Sequence, residues 1–74
     1  MNSTFPDTPD GLRAARHYAS TQSKQYNQSY GIEKMREYGR RILSVKMIPN
    51  DPAKRFGWET RCEPVNPTDP AWEI

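Results

Sequence analysis

The chain contains only one cysteine, Cys62, and one histidine, His17, among its 74 residues. A single cysteine excludes an internal disulfide framework and a metal site built from several cysteines. A Cys/His catalytic pair is disfavoured, because neither residue lies in the sequence context of a nucleophile. The sequence also contains no metal, nucleotide or nucleophile motif. We therefore predict a protein that is not an enzyme and that uses no metal or cofactor.

Long apolar runs are missing as well. Apolar residues make up 34% of the sequence, and no run approaches the roughly 20 residues that a membrane-spanning helix needs. The first ten residues are acidic and polar, whereas a signal peptide begins with a basic and then an apolar segment. We expect a monomeric, cytoplasmic protein without a membrane partner. A chain this short can bury only a small core, which favours a binding function over an enclosed catalytic cleft.

The positive charge is concentrated in the middle of the chain. Residues 32–62 contain eight basic and four acidic side chains, whereas residues 63–74 contain three acidic side chains and no basic one. A basic surface of this kind can bind phosphate backbones or an acidic protein, although it can also be ordinary solvated surface. The candidate partner-binding residues in this region are Arg40, Arg41, Lys46, Lys54, Arg55 and Arg61.

Two helices are predicted in the first half of the chain. Thr8 is a suitable N-cap and Pro9 suits the first helical position, so a helix should begin at Pro9 and end near Gln28. A second helix is expected from Gly31 or Ile32 to Tyr38, because apolar residues recur there at three-residue spacing. Gly39 would end this helix in the left-handed conformation.

A β-hairpin is predicted after the helices. Leu43, Val45 and Met47 alternate with polar residues, and so do Phe56, Trp58, Thr60 and Cys62. Pairing Met47 with Phe56, Val45 with Trp58 and Leu43 with Thr60 places the large side chains on one face, in the core. Prolines 49 and 52 would make the connecting loop stiff, so that it presents Lys54 and Arg55 to a partner.

The expected fold class is α+β, with two short helices packed on a two-stranded antiparallel hairpin and with flexible termini. Three segments are predicted: an extended N-terminal arm over residues 1–8, one small domain over 9–62, and an acidic, proline-rich tail over 63–74. The edges of a two-stranded sheet are unpaired, and an unpaired edge can bind an extended segment of another protein.

The size, basic middle, helices followed by a hairpin, and acidic end resemble the small host-takeover proteins that bacteriophages make early in infection. Among these, the chain is most similar in type to regulators that bind bacterial RNA polymerase. The resemblance implies a larger protein complex as partner, inhibition of transcription initiation, antitermination, and a location in the host bacterial cytoplasm. It assigns no function to individual residues.

Two other functions are compatible with the sequence. A small nucleic-acid-binding protein would use Lys46, Lys54, Arg55 and Arg61 on phosphates and an exposed aromatic residue on bases. An accessory subunit of a stable assembly would be partly unfolded in isolation. Steep salt dependence would indicate nucleic-acid binding, whereas a contact built on strand pairing and buried aromatic residues would weaken only mildly with salt.

Overall fold

The computed structural model describes residues 3–70. The elements are strand β1 (Ser3–Pro6), helix α1 (Pro9–Tyr26), strands β2 (Tyr30–Glu37) and β3 (Arg40–Met47), a 3-10 turn (Pro52–Lys54), the short helix α2 (Phe56–Glu59) and strand β4 (Cys62–Val65). The strands form one antiparallel sheet in the order β1-β3-β2-β4. The class is α+β, but the expected arrangement of two helices on a two-stranded hairpin is wrong.

Helix α1 follows its local sequence signals. The Oγ1 atom of Thr8 accepts a hydrogen bond from the N–H of Gly11 at 3.0 Å, and Pro9 occupies the first turn. The prediction of a capped helix beginning at Pro9 is confirmed. The helix ends at Tyr26, just before Asn27, which adopts the left-handed conformation with φ 49°. Asparagine tolerates this conformation better than most residues, so it provides a suitable end.

The second predicted helix is wrong, because residues 30–37 form strand β2. Each residue of β2 pairs with β3, from Tyr30 opposite Met47 to Glu37 opposite Arg40. Tyr38 and Gly39 connect the two strands with φ values of 52° and 77°. Two positive φ angles in a two-residue loop are the signature of a type I′ turn, whose twist matches that of the flanking strands. The turn and the pairing outweigh the helix propensity of the charged residues and methionine in β2.

The predicted hairpin partner is also wrong. Residues 40–47 form a strand, but the segment around Phe56 and Trp58 forms the 3-10 turn and α2 instead of the second strand. Asp51 caps this turn, since its carboxylate accepts a hydrogen bond from the N–H of Ala53 at 3.0 Å. Phe56 is 79% exposed, so it is not a core residue. Trp58 is half-buried and carries the guanidinium of Arg61 over its ring, 4.8 Å from the centroid.

The core lies between α1 and one face of the sheet. Alanines of α1 pack against alternate residues of β2 and β3 and against the end of β4. Phe5 and Tyr18 close one side of this core with their ring centroids 5.8 Å apart. The buried members of the cluster are Ala15, Ala19, Tyr30, Ile32, Leu43, Val45 and Val65.

Part of each predicted terminal segment belongs to the sheet as an edge strand, whereas only two strands were expected; the flexibility of the termini stays a prediction. Residues 3–6 of the predicted arm form β1, and residues 63–65 of the predicted tail belong to β4. The guanidinium of Arg16 on α1 donates two hydrogen bonds of 2.7 Å to the carboxylate of Glu63, which raise the pKa of Arg16. Residues 1–2 and 71–74 of the same predictions lie outside the described residues.

Candidate functional site

The outer half of the β2–β3 hairpin projects beyond the rest of the sheet. Strand β4 pairs with β2 only over residues 30–33, and β1 pairs with β3 only over residues 42–45. Among residues 3–70, no strand flanks residues 34–41, which we call the ribbon. The ribbon is two strands wide and extends roughly 10 Å from Lys34 to Glu37 at the usual rise of a strand.

The ribbon is strongly basic and exposed. It carries Lys34, Arg36, Arg40 and Arg41 against the single carboxylate of Glu37. All four basic residues are exposed, and their side chains form no hydrogen bond or ion pair with any other described residue. Their charges therefore form no close ion pair within the described part of the chain, although Glu37 is the register partner of Arg40.

Two arginines oppose each other directly across the ribbon. Arg36 and Arg41 are register partners, and alternation places both on the α1 side of the sheet together with Lys34. Like charges at directly opposed positions of a sheet destabilise the strand pair. These three side chains line a shallow concavity with Met35 and Asp7, so the concavity holds three cations and one carboxylate. Its electrostatic character favours an anion.

Tyr38 lies at the apex of the ribbon. It is 95% exposed and has φ 52°, although type I′ turns favour asparagine or glycine. A tyrosine in the left-handed region raises the energy of the backbone by roughly 1–2 kcal/mol. The side chain gains no compensating burial within the described residues. An exposed aromatic ring that is held in a strained turn is typical of a contact residue.

Arg40 lies on the side of the ribbon opposite to α1. It shares a second shallow concavity with Thr4, Glu37, Tyr38 and Ile42. Arg40 and Arg41, both predicted candidates, are thus brought together at the ribbon but point to opposite faces of it. The ribbon consequently concentrates its positive charge on the α1 side, whereas Arg40 shares the opposite face with its register partner Glu37.

The other predicted candidates are dispersed. Lys46 forms an ion pair with Glu33 on the face opposite α1, where both side chains are 18% exposed. Lys54 is exposed on the 3-10 turn, and Arg61 stacks on Trp58. Lys46 reaches the ribbon at Met35, with its Nζ atom 3.7 Å from Sδ, but its charge is paired with Glu33. Lys54 and Arg61 lie on the segment between β3 and β4.

Arg55 has an internal role. It is 8% exposed, and its Nε atom donates a hydrogen bond to the carbonyl oxygen of Pro49 at 3.0 Å. Its Nη2 atom donates to the hydroxyl of Ser29 and to the side-chain carbonyl of Asn66. Ser29 itself donates to Asn66 at 3.0 Å. Arg55 therefore ties the loop after β3 to the residues before β2 and after β4.

Sequence reasoning missed Lys34, Arg36 and Tyr38 as site residues, because it assigned them to a helix. Two signals point to the strand. Tyr30 and Ile32 have the two-residue spacing of a half-buried strand, and Tyr38-Gly39 separates two segments of similar length with a residue that favours positive φ. Read together, these signals indicate a tight hairpin whose outer half is charged.

Cys62 is buried beside the ion pair of Glu33 and Lys46. Burial raises the pKa of its thiol, and the charge of Glu33 raises it further. A thiol with a raised pKa is a poor nucleophile at neutral pH, because the thiolate is the reactive form. The environment of Cys62 therefore does not activate it.

Within residues 3–70, no group of three or more histidine, cysteine, aspartate or glutamate side chains is placed to hold a metal ion. The helices of this described part are too short or too polar to cross a membrane.

No protein-family model matches the chain, and neither curated proteins nor solved structures match it.

Proposed function

We propose that the protein is a non-enzymatic binding module that holds nucleic acid through the ribbon. Lys34, Arg36, Arg40 and Arg41 contact phosphates, and Tyr38 contacts a base or sugar at the apex. The observation that carries this proposal is the opposed pair of Arg36 and Arg41, which forms no ion pair among the described residues and shares its concavity with Lys34 and the single carboxylate of Asp7. A polyanion that binds there removes the repulsion of the pair and adds charge-assisted hydrogen bonds.

The composition of the ribbon favours nucleic acid over a protein partner. The centre of a protein–protein interface is depleted of charged residues as a whole, although arginine, methionine and aromatic residues are enriched there. The ribbon instead places four cations beside one carboxylate. The exposed large apolar side chains of the ribbon are Tyr38 and Met35, and Met35 is only 41% exposed. Arginine and lysine beside one aromatic ring match the contacts that proteins make with phosphates and bases. RNA polymerase binding, which the resemblance implies, stays a prediction.

The test is fluorescence anisotropy of labelled 20-nucleotide DNA, single-stranded and duplex, titrated with the full chain at several salt concentrations. Four phosphate contacts predict that log K for the duplex falls against log salt with a slope of about −3.6. The Arg36→Ala and Arg41→Ala variants should bind more weakly and should each reduce the slope by about one. Arg13→Ala is the matched control, since Arg13 is an exposed arginine on α1, outside the ribbon.

Three results would contradict the proposal: no binding to any nucleic acid, a salt slope near zero, or an equal loss in the Arg13→Ala control. A capture experiment from bacterial lysate separates the protein-partner hypothesis. RNA polymerase subunits that remain bound after nuclease treatment, and that Arg36→Ala no longer retains, would assign the ribbon to a protein surface instead.

A further inference from the structure

The ribbon has dimensions that match the major groove of B-form DNA. This groove is about 12 Å wide and about 8.5 Å deep, and it admits a two-stranded β-ribbon. Two paired strands lie about 4.8 Å apart, and side chains on both faces bring the thickness to roughly 10 Å. The pairing limits of β1 and β4 leave residues 34–41 without a flanking strand among the described residues. The apex can therefore enter the groove while the remaining sheet stays outside.

The charges of the ribbon suit one wall of phosphates better than the other. Arg36, Arg41 and Lys34 lie on the α1 side, whereas Arg40 lies on the opposite side together with its register partner Glu37. When the turn points toward the groove floor, the two faces of the ribbon point toward the two sugar–phosphate backbones. Tyr38 then reaches the base edges, where its hydroxyl can both donate and accept a hydrogen bond.

The sheet lacks the surface that single-stranded nucleic acid requires. Single strands are bound mainly by stacking of successive bases on several aromatic side chains. On the face opposite α1, the residues next to the ribbon are Thr4, Ile42 and the buried Ser44, and none of these is aromatic. Among the described ribbon residues, Tyr38 alone offers a ring. One ring at the end of a narrow projection provides little stacking area.

Duplex RNA is disfavoured for a different reason. The major groove of A-form RNA is deep and too narrow for protein side chains to read. We propose that the target is double-stranded DNA and that the ribbon enters its major groove with Tyr38 foremost. This inference rests on the proposed binding of nucleic acid by the ribbon. The four basic residues of the ribbon contact the phosphates on either side.

The test compares three probes of identical sequence: a 20-bp DNA duplex, a 20-bp RNA duplex and the DNA single strand. The affinity of the full chain for the DNA duplex should be at least about tenfold higher than its affinity for either other probe at the same salt concentration. Methyl green, which occupies the major groove, should displace the protein from the DNA duplex. Netropsin, which occupies the minor groove, should not displace it.

Variants at the apex complete the test. Tyr38→Asn should weaken duplex binding about fivefold or more, because the base contact is lost. Tyr26→Asn is the matched control, since Tyr26 is an exposed tyrosine at the end of α1, and its affinity should equal that of the unmodified chain. Circular dichroism establishes that both variants are folded before binding is compared.

The outcomes separate the two proposals. Single-stranded DNA or duplex RNA bound as tightly as duplex DNA would overturn the groove inference and leave nucleic-acid binding by the ribbon intact. Displacement by netropsin but not by methyl green, or full affinity of Tyr38→Asn, would also overturn only the groove inference. Absence of binding to all three probes would overturn both proposals.

Discussion

The two halves of the β2–β3 hairpin belong to the same pair of strands but differ in burial and in charge. In the inner half, Ile32 is opposite Val45, and these side chains are only 4% and 1% exposed beneath α1. In the outer half, Arg36 is opposite Arg41, and both side chains are exposed. The inner half gains stability from apolar burial, whereas the outer half gives up stability to hold like charges together.

This contrast separates the scaffold from the site. The inner half fixes the register through its buried face, because a slip by one residue would turn Ile32 and Val45 away from the core. The outer half inherits that register, which holds the basic side chains in defined positions. Substitutions in the inner half should therefore change stability, and substitutions in the outer half should change binding.

The largest expected effect is that of Leu43→Ala. Leu43 has no exposed surface and packs in the core, so its truncation should lower the free energy of unfolding by about 2–5 kcal/mol. Urea unfolding followed by circular dichroism measures this change. Met35→Ala on the ribbon is the control, with an expected change within about 0.5 kcal/mol. Similar losses in both variants would show that the ribbon is part of the core.

The next effect has the opposite sign. Tyr38→Asn should raise the free energy of unfolding by about 1 kcal/mol, because asparagine tolerates the positive φ of the turn and tyrosine does not. The same substitution should weaken DNA binding. Thermal melts of the two proteins at one pH provide the measurement. Destabilisation by Tyr38→Asn would mean that the ring has a stabilising contact.

Alkaline pH should destabilise the fold through Cys62, which lies on β4 opposite Glu33 of the inner half. Burial raises the pKa of its thiol, so the folded protein keeps this proton at a pH where the unfolded chain has released it. Stability is therefore fully present below the ordinary thiol pKa of about 8.5 and falls above it, by at most about 1.4 kcal/mol per pH unit. Urea unfolding at about pH 7.5, 8.5 and 9.5 should show this fall. A Cys62→Ala variant should show a smaller one.

Tyr30 strengthens the same trend at higher pH, since burial also raises the pKa of its hydroxyl. A free energy of unfolding that rises with pH across this alkaline range would contradict the assignment of both groups as buried in their neutral forms.

The smallest expected effect is that of Arg36→Glu. The substitution replaces a like-charge pair by an opposite-charge pair with Arg41, and should stabilise the fold by about 0.2–1 kcal/mol at low salt. High salt should cancel most of this gain. Lys54→Glu, an exposed charge reversal away from the ribbon, is the control for net charge. Destabilisation by Arg36→Glu would show that Arg36 has a favourable contact within the fold.

The sequence predicts α1 because the signals of that helix are local: a Thr8 cap, Pro9 in the first turn and an acidic residue after it. It also predicts a strand over Leu43, Val45 and Met47, since their alternation is regular. The partner of that strand depends on contacts between distant residues. Phe56 and Trp58 imitate a strand pattern, but Asp51-Pro52 starts a capped turn there.

Strand β2 could not be assigned from residue preferences alone. Its outer half contains glutamate, lysine, methionine and arginine, which favour helices. This half is exposed, so packing does not require the β-branched and aromatic residues that are typical of strands. The sequence did not reveal the ribbon for the same reason. Arg40 and Arg41 were identified from their charge, but their partners Lys34, Arg36 and Tyr38 join them only when β2 folds back on β3.

The contacts of Arg55 have a consequence for synthesis of the chain on the ribosome. Its guanidinium needs acceptors on Ser29, Pro49 and Asn66, which are far apart in sequence. Until Asn66 has left the exit tunnel, the nascent chain lacks the last acceptor and the pairing of β4 with β2. Residues 30–47 of the hairpin emerge earlier, but this fold closes only after residues through Asn66 have left the exit tunnel.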